Sequence, residues 1–114
     1  MNKREYKRRA KLFKALAHPV RLQILASLSK GPICVCELMP HLDQRQAYIS
    51  QQLSILRKAR LVHAERFGKR IQYELVPTVL QDALESTLEE FIREAENPAS
   101  MHSDLQTNFE EYAS

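Results

Sequence analysis

The apolar residues of this chain recur at 3.6-residue spacing along most of its length, and the rhythm gives way once, to two alternating runs around Gly68-Lys69. A chain patterned this way is expected to be mainly helical with one small β-hairpin. Tyr6, Ala10, Phe13 and Ala17 form one stripe of a first helix whose other faces are basic. His18-Pro19 interrupts it, and Pro19 suits the first turn of a second helix carrying Val20, Leu22, Ile24, Leu25 and Leu28. Lys30-Gly31-Pro32 ends that helix. A short third helix is expected through Val35, Leu38 and Met39, stopping near Pro40 to Asp43. A fourth runs from about Arg45 to Ala59, with Ile49, Leu53 and Leu56 as its buried stripe. Leu61 to Phe67 and Arg70 to Leu75 read as the two strands. Leu80, Ala83, Leu84, Thr87, Leu88, Phe91, Ile92 and Ala95 then give a fifth helix whose apolar stripe is too wide for an exposed element. That stripe is expected to pack against a second copy of the chain.

With 114 residues the chain fits a single domain, expected over residues 1–96. Residues 97–114 follow Asn97-Pro98, are polar with scattered Leu105, Phe109 and Tyr112, and are expected as a frayed tail. The net charge of +3 is the sum of two unlike parts. Positions 1 to 80 hold 16 of the 17 Lys and Arg residues against five acids, a balance of +11. Positions 81 to 114 hold Arg93 against nine acids, a balance of −8. The basic part has the electrostatic footprint of phosphate neutralisation, whereas the acidic part would repel DNA and belongs in a subunit interface or in solvent. No apolar run approaches the ~18 residues of a membrane span, and the start, Met1 to Arg9, lacks the apolar stretch of a secretion signal, so the cytoplasm is the expected compartment. Enzyme chemistry finds no foothold. There is no nucleophile elbow and no His-Glu-x-x-His, and two glycines could hardly build a phosphate cradle.

Helix, helix, short turn, polar-faced helix and basic hairpin follow one another in the order of a winged helix-turn-helix, whose fourth helix would enter the major groove of duplex DNA. The outward side of that helix shows Gln46, Ala47, Tyr48, Ser50, Gln51 and Ser54, uncharged and mostly able to hydrogen bond to base edges, where a purely solvated helix would carry more Glu and Lys. Arg66, Lys69 and Arg70 on the hairpin suit the DNA backbone or minor groove. Lys3 to Lys11 is either a further phosphate-binding stretch or a solvated helix face.

Three stretches carry a family resemblance: Ala15 to Leu22 (Ala-Leu-Ala-His-Pro-Val-Arg-Leu), Ile33 to Leu38 (Ile-Cys-Val-Cys-Glu-Leu), and Ile49 to Ala59. With the hairpin they span about positions 10 to 76, and in this combination and order the chain resembles the ArsR/SmtB family of metal-sensing repressors. The resemblance implies a homodimer that leaves its operator when an inducer binds. It implies that the first and fifth helices make the dimer, which assigns Tyr6, Phe13, Leu80, Leu84, Leu88 and Phe91 to that interface. It also implies that Cys34 and Cys36, in the place of the family's Cys-x-Cys pair, bind a soft ion: trivalent arsenic foremost, or antimony(III), cadmium(II) or lead(II). Three features depart from the family pattern. Arg45 stands where Ser often caps the recognition helix, leaving Asp43 or Gln44 to cap it, and Arg60 stands where Gly is common, requiring a left-handed residue. No third cysteine is present.

On a regular helix two residues i and i+2 lie ~200° apart, so joint binding by Cys34 and Cys36 predicts a locally opened third helix, which would couple the ligand mechanically to the recognition helix. Two thiolates suffice for a methylated trivalent arsenical, while inorganic arsenic takes three donors and a small thiol could supply the last. Cadmium or zinc prefers four donors, and the remaining candidates are His18, His41, Glu37 or groups from a second copy of the chain, none at a convincing spacing. A zinc site on the fifth helix is set aside, because positions 79 to 95 hold no histidine. Two other roles stay open for the cysteines: small apolar fillers of the core, and a redox or reactive-sulfur sensor forming a disulfide within the pair or between chains. His18 is expected to cap a helix junction.

Overall fold

A computed structural model of the chain describes residues 1–98. Its elements run α1 (Lys3–Leu16), α2 (Pro19–Leu28), β1 (Ile33–Cys34), α3 (Val35–Leu42), α4 (Gln46–Lys58), β2 (Val62–Phe67), β3 (Arg70–Leu75) and α5 (Pro77–Glu96). The five helices and the hairpin stand in the expected order, and β1 is an addition. Apart from Asn97 and Pro98, the tail expected over 97–114 lies outside the described residues.

Each helix start has a local cause. Asn2 and Glu5 form a capping box on α1, in which Glu5 N donates to Asn2 Oδ1 at 2.9 Å and Asn2 N donates back to the Glu5 carboxylate at 3.4 Å. His18 caps α2 as expected, its Nδ1 accepting from Val20 N at 3.2 Å with Pro19 in the first turn. Arg45 occupies the N-cap of α4 and offers no side-chain hydrogen bond. Asp43 does not substitute for it, because Asp43 ends α3 in the left-handed region at φ 50°. Arg60 adopts φ 63°, the strained conformation expected where a glycine is missing.

Ile24, Leu38, Ile49, Leu53, Leu56 and Leu61 are fully buried and make the centre of one core under α2, α3, α4 and the start of β2. Two helices show which of their apolar rows meets this core. In α1 the core-facing residues are Leu12, Ala15 and Leu16, while Tyr6, Ala10 and Ala17 are exposed and Phe13 half-buried. The stripe of Tyr6, Ala10, Phe13 and Ala17 is a real helical row, but it lies about 140° round the helix from the row that meets α2 and α4. In α2, Leu22 is 52% exposed, because it sits ~200° from Ile24, which is fully buried.

The sheet is antiparallel throughout, ordered β1-β3-β2. Phe67 pairs with Arg70 across a two-residue turn, in which Gly68 takes φ +64°, as the first position of such a turn requires. β1 pairs Ile33 with Tyr73 and Cys34 with Gln72. This brief pairing places the first cysteine against the middle of β3.

The chain divides into two compact units. Met1–Leu84 contains the core and the sheet. The second begins at Glu85, is helical to Glu96, and contains an Arg93–Glu90 ion pair at 3.2 Å. No helix among the described residues is long and apolar enough to cross a membrane.

Candidate metal centre and nucleic-acid interface

Cys34 and Cys36 form a disulfide, with Cα atoms 5.4 Å apart. The expectation that α3 must open to bring the two sulfurs together is therefore overturned. Cys34 belongs to β1 and is the extended N-cap of α3, at φ −90° and ψ 163°, so only Cys36 is helical. Across a strand-to-helix corner the ~200° separation of a continuous helix does not apply. The sulfurs meet with α3 intact. Cys34 is 3% exposed, and Cys36 faces outward. Pro40 lies inside α3 and cannot donate to the Cys36 carbonyl one turn earlier, so the helix is short of a hydrogen bond at this corner.

Glu37 joins the pair. One ligand atom from each of Cys34, Cys36 and Glu37 falls within 4.8 Å of the other two. Oε1 of Glu37 lies 3.4 Å from Cys34 Sγ, and the same oxygen accepts from Arg70 Nη2 at 2.6 Å. Arg70 Nη2 is also 3.4 Å from Cys34 Sγ. The register explains this contact: Cys34 pairs with Gln72, and Arg70, two residues back on β3, shares the face of Gln72. Both partners of the Arg70–Glu37 ion pair are about half exposed, at 53% and 51%, so the pair contributes at most about 1 kcal/mol and exchanges easily. Arg70, expected with Arg66 and Lys69 as a DNA contact, is held by Glu37 in the chain alone. His18 and His41, named as further donors, are absent from this group.

Beside Cys36 opens a cleft lined by Met39, Pro40, Asp43, Gln44, Arg45 and Tyr48, which connects the sulfur corner to the first turn of α4. Along α4, Ile49, Leu53 and Leu56 face the core as expected. Gln46, Ala47 and Gln51 are exposed, and Tyr48, Ser50 and Ser54 are half-buried. Gln52, on the inner side, is buried and accepts from Arg21 Nη1 at 2.8 Å. Arg21 also donates to the Ala15 and Lys14 carbonyls at 2.6 and 3.4 Å, fastening the end of α1 to α4. Sequence reading quoted Arg21 without a role, because its three acceptors are set by packing. Arg66 and Lys69 are exposed at the far end of the hairpin, beside Phe67, itself 55% exposed.

A core-backed α3–α4 pair with a polar outer helix, followed by a basic β-hairpin, defines a winged helix-turn-helix DNA-binding transcriptional regulator. Residues 18–64 match the family described as "Bacterial regulatory protein, arsR family". Over 86 residues the chain is 40% identical to the biofilm growth-associated repressor of Agrobacterium fabrum, covering 75% of this chain and 74% of that one. Over 69 residues it is 44% identical to the arsenical resistance operon repressor of Escherichia coli, covering 60% of this chain and 59% of that one. The solved structure of an ArsR-like transcriptional regulator from Rhodococcus sp. RHA1 superposes with a TM-score of 0.71 at 26% identity, covering 80% of this chain and 85% of the other. The chain belongs to the ArsR/SmtB family of transcriptional repressors.

Proposed function

We propose that this protein is a homodimeric cytoplasmic repressor that releases its operator when a thiophilic metal or metalloid binds Cys34 and Cys36, with trivalent arsenicals first among the inducers. The observation that carries the reading is the position of the sulfur corner: between the hairpin, through Arg70 beside its turn, and the first turn of α4, through the cleft beside Cys36. An inducer held there touches both elements expected on DNA. α4 would lie in the major groove, with Gln46, Ala47, Tyr48, Ser50, Gln51 and Ser54 towards the bases. Arg66 and Lys69 would meet phosphates or the minor groove. The open cleft leaves room for the methyl group or small thiol that completes the three positions of trivalent arsenic. The apolar residues exposed on α5, Leu84, Leu88, Phe91 and Ile92, suit a second subunit.

Shifting operator occupancy from 99% to 1% requires the ligand to favour the released form by about 10⁴-fold, ~5.5 kcal/mol, within reach of two sulfur–metal bonds. The test is fluorescence anisotropy of the reduced protein on its own upstream DNA during titration with arsenite, methylarsenite, cadmium or lead. Release is expected, and Cys34→Ser with Cys36→Ser is expected to abolish it. Retention of DNA against every one of these ions would end the proposal.

The disulfide favours a second reading, redox control, in which two thiols and one hydrogen peroxide give the disulfide and two waters. Release by peroxide without metal, reversed by a reductant, would select this reading over the first.

A further inference from the structure

The outer half of the hairpin stands clear of the core. Val62, Tyr73 and Leu75 anchor its inner half, whereas every residue from Glu65 to Ile71 is exposed. Two of these are large and apolar, Phe67 at 55% exposure and Ile71 at 38%. The register puts them on opposite faces, Phe67 across from Arg70 and Ile71 across from Arg66, so neither can cover the other. From Arg66 to Arg70 the tip carries three cations and no acid. The nearest acid on the face of Phe67 is Glu65, two residues further in and opposite Gln72. An aromatic ring left in water at the end of a cationic hairpin suits a site that is phosphate-lined outside and apolar within. We propose that Phe67 is a wedge that enters the minor groove of the operator and partly unstacks one base step, bending the duplex toward the major groove and α4. This rests on the reading that places the hairpin on DNA.

Dimensions favour a wedge over simple insertion. The minor groove of B-form DNA is about 6 Å wide. Two strands with side chains on both faces are on the order of 10 Å thick, the spacing at which sheets stack. The tip therefore enters only a groove that has opened, and levering a base step apart from the minor-groove side opens it. Phe67 is fitted for this: its ring is rigid and flat, and it has no hydrogen-bonding group to leave unpaired between bases. Ile71 stands one pair further in and suits the sugar wall of the groove. Arg66 and Lys69 hold the tip to phosphates while Arg70 is engaged with Glu37. Bending toward the major groove draws the duplex around α4, and the added contacts offset the cost of unstacking. Pyrimidine–purine steps, TA and CA/TG, open most easily, so Phe67 gives the protein a preference at a step where no hydrogen bond reads a base.

The experiment uses the full reduced chain and duplexes of its own upstream DNA. A fluorescent aminopurine base placed at successive positions brightens where stacking is lost, and energy transfer between dyes on the two ends measures the bend. The parent complex is expected to show an unstacked step under the hairpin and a shortened end-to-end distance. Phe67→Ala is expected to abolish both signals and to weaken binding about tenfold, with the salt dependence unchanged because no phosphate contact is lost. Phe67→Leu, an aliphatic wedge, keeps the bend. Lys69→Ala also keeps it, and lowers the salt slope by about one. Replacing the unstacked step by a stiffer one lowers the affinity of the parent chain and leaves that of Phe67→Ala unaltered. A parent complex whose DNA is straight and stacked throughout would overturn the wedge, as would a Phe67→Ala complex bent like the parent's. Loss of dimer mass by Phe67→Ala in sedimentation equilibrium, with the bend retained, would assign the ring to a second copy of the chain instead. An unchanged salt slope for Lys69→Ala would take the hairpin off the DNA and overturn the reading beneath the wedge.

Discussion

Arg21 shows how much of this small fold hangs on one side chain. It closes the last carbonyls of α1 and supplies the donor for Gln52, which is buried on the inner side of α4. Truncation leaves Gln52 without that donor, and hydrogen bonds to a charged group are worth more than neutral ones. Arg21→Ala is therefore expected to lower the unfolding free energy by about 2 kcal/mol, read as a lower urea midpoint with an unchanged m-value. A shift below a few tenths of a kcal/mol would show that water takes over the three acceptors. Arg60 and Arg45 are the opposite kind of residue. Each replaces a residue better suited to the end it occupies, one in the left-handed region and the other capping α4 without a side-chain bond, and the Leu53–Leu56–Leu61 packing holds the helix in spite of them.

At the scale of elements, α4 and the hairpin divide the expected labour on DNA. Tyr48→Ala or Gln51→Ala should flatten the preference for the operator over scrambled duplex, because each good base contact discriminates by about 1 to 3 kcal/mol. Lys69→Ala should instead weaken binding to every sequence and reduce the slope of log affinity against log salt by about one. Uniform losses from all three variants would remove α4 from the groove. The helices, and the strands of the hairpin, were legible in the sequence because their periodicity is local. β1 was not. It is two residues between Pro32 and α3, and its strand character exists only through pairing with Tyr73 and Gln72 some 40 residues on. Missing β1 also hid the chemistry of the site. With Cys34 read as helical, the sulfurs pointed apart, and the contact of Arg70 with Glu37, 33 residues away, left no local signal. Two apolar rows run along α1, and only the packing partners select Leu12, Ala15 and Leu16 for the core over Tyr6, Ala10 and Phe13.

For the whole molecule, the open question of assembly is carried by α5. Leu88 and Phe91 are 56% and 57% exposed, more apolar surface than a solitary helix ordinarily shows to water. Leu88→Glu is expected to convert a dimer into a monomer by sedimentation equilibrium and to lower operator affinity sharply, because two half-sites could no longer be bound together. A parent chain that sediments as a monomer at micromolar concentration would rule out this role for α5. The β1–β3 ladder has a different consequence, for variation in length. Residues inserted at the Gly68-Lys69 tip would extend the hairpin's reach along a groove and leave Arg70 opposite the same neighbours. A single-residue deletion between Arg70 and Gln72 would turn the guanidinium to the other face of the strand and break its contacts with Cys34 and Glu37. Length can therefore drift within the turn, while the frame of β3 from Arg70 to Gln72 is tied to the disulfide corner.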